Sequence, residues 1–344
     1  MNDIKKFFKT PFLITNAKNI SYITCADFEG FWLLCYKKNF FIITSEMIKG
    51  QIKQFFKNKV KIFTIKTSFS DTLIEICRKH KITKLTIDVT DINYELFNLL
   101  NKKLKQNKIS VIADNSTISK QRIIKSKNEI KNVKKACEIV SKVFETIKKT
   151  VVAGTSELDI HFKIEQEFAK HKVVQSFKTI VASGPNAANP HHISSSRKIK
   201  ANDIVLIDMG CIYNGYCSDL TRTFFVGNKT KEQQKIWDIV KLAHDEALKN
   251  VKTDVRASYV DLCARNIIKQ AGYGKQFIHT TGHGVGLNIH EAPQISFKSK
   301  EILKDGMVIT IEPGIYLENK FGVRIEDTIL VTKNGYKVLT TAKY

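Results

Sequence analysis

The stretch Leu206-Ile-Asp-Met-Gly-Cys-Ile-Tyr-Asn-Gly-Tyr-Cys-Ser-Asp-Leu-Thr-Arg-Thr223 is the most informative in the chain. An Asn-Gly pair between two apolar runs is a strong hairpin signal, because both residues accept the positive φ of a type I′ turn. With Asn214-Gly215 at the turn centre, Tyr213 pairs with Tyr216, Cys211 with Ser218 and Gly210 with Asp219. Asp208 lies two residues from Gly210, so it shares a face with Asp219. The two carboxylates become diagonal neighbours with Cα atoms ~7–8 Å apart. Like charges so placed repel unless a metal lies between them.

Two further acids stand in the same kind of apolar context. Glu312 sits in Val-Ile-Thr-Ile-Glu-Pro-Gly and Glu326 in Val-Arg-Ile-Glu-Asp-Thr-Ile. Burying such a carboxylate is costly unless it meets a cation. Arg324 is two residues before Glu326, so in a strand it shares that face and can orient a metal-bound carboxylate. Glu312 falls at a strand end, where Pro313-Gly314 breaks the pattern.

His191, His192, His279, His283 and His290 add imidazoles to this part of the chain. The His279/His283 spacing would suit a helical zinc motif, but Thr280 replaces its Glu, and Gly282, Gly284 and Gly286 disfavour a helix. Leu287 excludes a dinucleotide loop, and no Gly-Lys-Ser/Thr follows to make a phosphate loop. A flexible loop bringing three histidines to one cavity is the expectation. The four acids, with one neutral imidazole, balance two divalent cations. Oxygen-rich, single-histidine ligation favours manganese, cobalt, iron or zinc. Two such ions ~3.5–4 Å apart can share a water, lower its pKa and direct it at a carbonyl. His80, His161, His171 and His244 lie in helical surroundings and read as surface or packing residues.

Outward from this core, the 344 residues predict about two domains. Residues 10 to 120 alternate strand-like runs (Phe12–Thr15, Phe31–Tyr36, Phe40–Thr44, Lys61–Ile65, Leu85–Asp88, Ile109–Ile112) with helical spacing over Asp71–His80 and Asn93–Leu104. That is a layered α/β domain. Ser126 and Glu129 form a capping box before an amphipathic run of Ile130, Val133, Ala136, Val140 and Val143. Gly154 is expected to stop that helix, and Thr155 or Ser156 to cap the next. The domain boundary falls near residue 122. Helices over Thr155–His171, Thr230–Lys252 and Ser258–Gln270, mixed with strands in hairpins, make the second domain α+β.

Composition excludes several function classes. A 43% apolar share supports real cores, and no apolar run reaches the ~18 residues a spanning helix needs. Lys5, Lys6 and Lys9 precede an apolar stretch too short for a signal peptide, so a soluble cytoplasmic protein is expected. The net charge of +23 invites a nucleic-acid reading, but only seven of the 56 basic residues are arginines, and they do not cluster. A solvated basic surface, with no specific nucleic-acid partner and no membrane, is the reading. Seven cysteines without a Cys-x-x-Cys pair read as reduced, mostly buried thiols.

These motifs carry a resemblance. Ser183-Gly-Pro-Asn to Pro190-His-His, Leu206-Ile-Asp-Met-Gly, Gly215-Tyr-Cys-Ser-Asp-Leu-Thr-Arg-Thr, Thr281-Gly-His-Gly-Val-Gly to His290-Glu-Ala-Pro, Thr310-Ile-Glu-Pro-Gly and Val323-Arg-Ile-Glu-Asp-Thr appear in this order. The segment from Val181 to Thr340 resembles the pita-bread metallopeptidases: methionine aminopeptidase, aminopeptidase P, prolidase and creatinase. The resemblance implies a C-terminal pita-bread domain (122–344) behind a smaller creatinase-like α/β domain (1–121) that helps form a homodimer and narrows the active-site mouth. It implies metal ligation by Asp208, Asp219, His283, Glu312 and Glu326, with Asp219 and Glu326 bridging both ions, and manganese foremost ahead of cobalt, zinc or iron(II). Glu312 would also shuttle the proton of a bridging water. His290 would polarise the scissile carbonyl, His191 would bond near the leaving nitrogen, His279 would line the substrate pocket, and Arg324 would orient a ligand.

The N-terminal domain, His279 and Leu13-Ile-Thr-Asn to Asn19-Ile-Ser-Tyr-Ile-Thr all resemble the Xaa-Pro enzymes. Their substrates are short peptides with proline in second position. Gln294 stands where some prolidases have an arginine that reads the free carboxylate, which tilts the expectation from dipeptidase towards Xaa-Pro aminopeptidase. A methionine aminopeptidase-like enzyme and a non-catalytic pita-bread binding protein are the other readings.

Overall fold

The computed structural model describes residues 10–37, 39–57 and 59–344. The lysines at 5, 6 and 9 lie outside them. The chain forms two compact units, one ending at Arg122 and the other running Ile123–Tyr344.

The N-terminal unit is a six-stranded mixed sheet. Its strands run in the order Lys61–Thr64, Asn39–Thr44, Phe31–Tyr36, Phe12–Ile14, Lys84–Asp88, Ser110–Asp114. Phe31–Tyr36 pairs antiparallel with both neighbours, and the three remaining pairs are parallel, as helical crossovers require. Helices Phe69–Lys79 and Tyr94–Gln106 bury Leu73, Ile76, Leu100 and Leu104 in the core with Leu13, Phe41 and Leu85. Three helices were not singled out by sequence, Ala17–Thr24, Glu46–Phe56 and Thr117–Ile123. The first is rich in Asn, Ser, Thr and Ile, poor helix formers alone. It forms because Asn16 accepts from the Asn19 amide at its start and Ile20 and Ile23 are buried.

In the C-terminal unit the Ser126–Glu129 capping box opens the helix Lys127–Lys148. That helix ends six residues before Gly154, correcting the expected stop. Thr150 turns back instead, its amide and hydroxyl both bonding the Ile147 carbonyl (2.8 and 2.9 Å), and Val151 is buried. The β-branched run Thr150-Val-Val disfavours continuation. Ser156 caps Glu157–Lys170 as expected. Helices Lys231–Lys249 and Ala257–Gln270 pack together over a core containing Ile236, Val240, Val260, Ile268 and Ile309.

The strands that carry the acids belong to small sheets. Ile204–Met209 lies between Ile180–Ser183 and Leu220–Phe225. A five-stranded sheet runs Glu291–Ile295, Gly282–Gly284, Val308–Ile311, Asp327–Thr332, Gly335–Val338, and Gly314–Leu317 pairs with Phe321–Arg324. Tyr213 pairs with Tyr216, and Asn214 and Gly215 take φ of 48° and 82°, the expected hairpin turn. The expected Gly210–Asp219 pair does not form within a strand. Gly210 sits in a break where its carbonyl accepts from Ser176 (3.0 Å), and a Cβ there would lie 2.1 Å from the Ser218 carbonyl oxygen. Pairing resumes at Met209–Leu220 and Thr221–Asp208.

All seven cysteines are unbridged, and five are buried. Among the described residues no helix is long and apolar enough to cross a membrane.

Candidate metal centre

Strand ends and joints bring the acids together. Asp208 projects from Ile204–Met209, and Asp219 stands just before Leu220–Phe225. Glu312 follows Val308–Ile311 directly. The expectation that Arg324 and Glu326 share one strand is corrected: the strand ends at Arg324, and Glu326 lies in the joint before Asp327–Thr332. The joint is held from outside, because the Glu326 amide bonds the Thr221 carbonyl (3.1 Å).

His283 is not on a loop, as the glycines suggested, but in the short strand Gly282–Gly284. Glycine is required beside it for close backbone approach. A Cβ on residue 282 would lie 2.0 Å from the Thr310 carbonyl oxygen. His283 Nδ1 faces the Gly284 carbonyl at 3.0 Å, so Nδ1 carries the proton and Nε2 presents a lone pair. That lone pair points at acceptors, Glu312 Oε1 at 3.3 Å and Asp219 Oδ2 at 3.6 Å. Ligand atoms of Asp219, His283 and Glu326 lie within 4.8 Å of one another.

Only part of this oxygen-rich cluster is satisfied by protein donors. Thr221 Oγ1 donates to Glu326 Oε2 (2.7 Å), Thr310 Oγ1 to Glu312 Oε1 (3.2 Å), and Arg324 Nη2 to Asp208 Oδ2 (2.5 Å). Buried Asp208 Oδ1 and Glu326 Oε1 have no partner. Burial, reinforced by the neighbouring carboxylates, pushes Asp219 and Glu326 well above the ordinary carboxylate range. Burial raises Glu312 to about 7. Orphaned oxygens, a lone pair facing carboxylates and mutually repelling acids are the donor set a divalent cation fits.

All nine predicted site residues line one cavity of about 800 Å³: Asp208, Asp219, His283, Glu312 and Glu326, with His191, His279, His290 and Arg324. Gln294 lines it too. The His290 ring stands 4.5 Å from that of His283, nearly perpendicular. Burial lowers the pKa of both. Cys217, between the turn and Asp219 in sequence, packs among Val133, Cys137 and Val285.

Several supporting residues had no sequence signal. Tyr316 accepts from Arg324 Nη1 (2.7 Å) and donates to His279 Nε2 (2.9 Å), while His279 Nδ1 donates to the Thr280 carbonyl (2.8 Å). Burial holds His279 down to about 4 and raises Tyr316 to about 12. Fully buried Asp261 accepts from the Thr281 amide and hydroxyl (3.1 and 2.8 Å). Its partner Arg265 also donates to the Phe277 and His279 carbonyls, so one ion pair fixes the run into His283.

Glu157, also fully buried, gathers residues 183–195. It accepts from the amides of Ser183 and Ser195 (2.8 and 3.0 Å), from both serine hydroxyls (each 2.7 Å) and from Asn186, and it faces His192 Nε2 at 2.8 Å. Burial would raise its carboxyl, but these donors hold it below its ordinary range. His192 is thus an anchor for the segment that presents exposed His191. A capping serine beside Glu157 was legible, but the long-range partners were not.

Comparison with known proteins places the site in a family. A model described as metallopeptidase family M24 matches residues 131–333. An Xaa-Pro dipeptidase of Pyrococcus furiosus is 41% identical over 285 residues, covering 83% of this chain and 80% of that protein. The solved structure of an Xaa-Pro dipeptidase from Bacillus anthracis matches with TM-score 0.94 at 32% identity, covering 99% of this chain and 96% of that one. An X-Pro aminopeptidase from Thermotoga maritima matches with TM-score 0.89 at 32% identity, covering 97% and 96%. The expected pita-bread, α+β architecture is therefore that of the chain. By the extent of the family match and by this likeness along nearly all its length, the chain belongs to metallopeptidase family M24.

Proposed function

We propose that this metallopeptidase is an Xaa-Pro dipeptidase acting with two divalent cations. The observation that carries the metal reading is the set of unsatisfied acids around the His283 lone pair. The likeness to an Xaa-Pro dipeptidase at 41% identity supports the substrate and outweighs the aminopeptidase preference drawn from Gln294. Asp208, Asp219, His283, Glu312 and Glu326 would hold the cations, manganese foremost by donor chemistry. When bound, such ions neutralise the acids, make a water more acidic and polarise a carbonyl.

The residues around them divide the remaining work. Glu312, lining the cavity beside His283, accepts and returns the proton of the attacking water. His290, uncharged at neutral pH, donates a hydrogen bond to the developing oxyanion. His191 approaches the imide nitrogen from the cavity rim. His279, kept neutral and fixed by Tyr316, walls the pocket. Arg324 holds Asp208 in orientation. The N-terminal unit serves a homodimer in this reading, and a monomer by light scattering would remove that part.

The test is a side-by-side assay of chelator-treated protein resupplied with manganese. Release of proline from Xaa-Pro dipeptides, in preference to the first residue of Xaa-Pro-Xaa, is expected. Preference for the longer peptide makes the enzyme an aminopeptidase. Turnover of Met-Ala-Ser alone makes it a methionine aminopeptidase, and no turnover with any metal leaves a binding protein.

A further inference from the structure

The residue after Glu326 heads a second buried network that the metal reading does not use. Asp327 is fully buried, and its carboxylate is saturated with donors. Oδ1 accepts from Arg222 Nη2 (2.8 Å) and Thr340 Oγ1 (2.6 Å), and Oδ2 from the Tyr344 hydroxyl (2.5 Å). Arg222, also buried, spends its remaining donors on backbone carbonyls. Nη1 bonds those of Thr221 and Glu326, and Nε and Nη2 bond that of Ala342 (3.2 and 2.8 Å). The Tyr344 ring lies 4.3 Å from the Arg222 guanidinium and 4.4 Å from Lys241 Nζ. Residues 340–344 are themselves tied down, with the Thr341 amide on Ser141 Oγ (2.8 Å) and the Lys343 amide on Glu145 Oε1 (2.6 Å).

Through this network the segment 340–344 reaches Glu326 at one remove. Glu326 is gripped at its amide and side chain by Thr221 and at its carbonyl by Arg222. Arg222 is aimed by Asp327 and Ala342, and Asp327 by Thr340 and Tyr344. We propose that Tyr344 and Thr340 are positioning residues for Glu326: they latch Asp327 and Arg222, and so set how tightly the centre holds its cations. The inference rests on the metal reading above. Its physical basis is that partners behind a metal ligand change affinity by orienting it, typically ~10–100-fold.

Tyr344→Phe removes one hydroxyl and keeps the ring over Arg222, and Thr340→Val removes the other hydroxyl at similar volume. Each variant, metal-stripped, is titrated with cobalt(II), followed by calorimetry and by the visible absorption of the bound ion. A loss of affinity of about tenfold in Tyr344→Phe, with an altered cobalt spectrum, is expected. Ile164→Val, a core truncation on the helix Glu157–Lys170, serves as control: it lowers the melting temperature and leaves cobalt binding unchanged. Wild-type affinity and spectrum in both hydroxyl variants overturn the inference while the metal reading stands. Failure of the wild-type protein to bind cobalt overturns both. If Tyr344→Phe does not fold, Thr340→Val alone decides.

Discussion

Glu326 and Asp327 are chain neighbours, both buried, and their carboxyls are pushed in opposite directions. Glu326 is raised by burial and by the acids around it. Burial would raise Asp327 too, but adjacent Arg222, with His244 and other donors, holds it far below the ordinary range. One carboxylate faces a cluster short of positive charge, and the next closes a complete ion pair. The alternation of a strand-like backbone sends adjacent side chains to opposite sides. Two neighbouring acids therefore differ in what surrounds them: in the proposed centre one would take its cation from solution, whereas the other has its cation built in.

The comparison can be broken first at the open cluster. Asp219→Ala removes a predicted bridging ligand, and turnover should fall at least about 10³-fold in a steady-state assay saturated with manganese. Full activity would remove Asp219 from the centre. On the closed side, Arg222→Met leaves Asp327 buried without its counter-charge. Denaturant unfolding should show about 3–5 kcal/mol lost, the usual cost of stripping one partner from a buried pair. A loss under 1 kcal/mol would mean that Asp327 had not depended on it.

Adding metal sharpens the contrast. At a free concentration about 100 times Kd, manganese should stabilise the folded protein by about 2.7 kcal/mol, read as a rise in melting temperature that chelator reverses. Asp219→Ala should show little of this rise, because the added ion meets only the open cluster.

The smallest effect concerns His279. Its folded pKa of about 4 lies below the ordinary 6.5, so between those values the unfolded chain binds the extra proton. Stability then rises with pH, and the contribution is lost as pH falls from about 6.5 to about 4. His279→Gln should flatten the pH dependence in that window by about 1–2 kcal/mol, measured by urea unfolding against wild type.

What the sequence made legible was local or periodic. The Asn214-Gly215 turn, the Ser126–Glu129 box and the apolar strand around Asp208 rest on neighbours within a few residues, and each appears in the structure. The resemblance ordered nine residues that turn out to line one cavity. The break at Gly210 escaped, because it arises from Ser176 and Ser218 crowding the backbone, which no hairpin rule contains. His244, read as surface or packing, is the latter, fully buried beside Asp327, though that partner had no sequence signal. Tyr316, Glu157 and Tyr344 escaped for a related reason. Their partners are brought near only by the tertiary fold, and a lone tyrosine or glutamate in a sequence carries no sign of them.

The Glu157 hub bears on how the enzyme meets its substrate. Because one carboxylate ties together both serines, Asn186 and His192, the rim carrying His191 is already cross-braced before any peptide arrives. Little freedom remains in that segment to be surrendered on docking, so the ordering cost of binding at that edge is small.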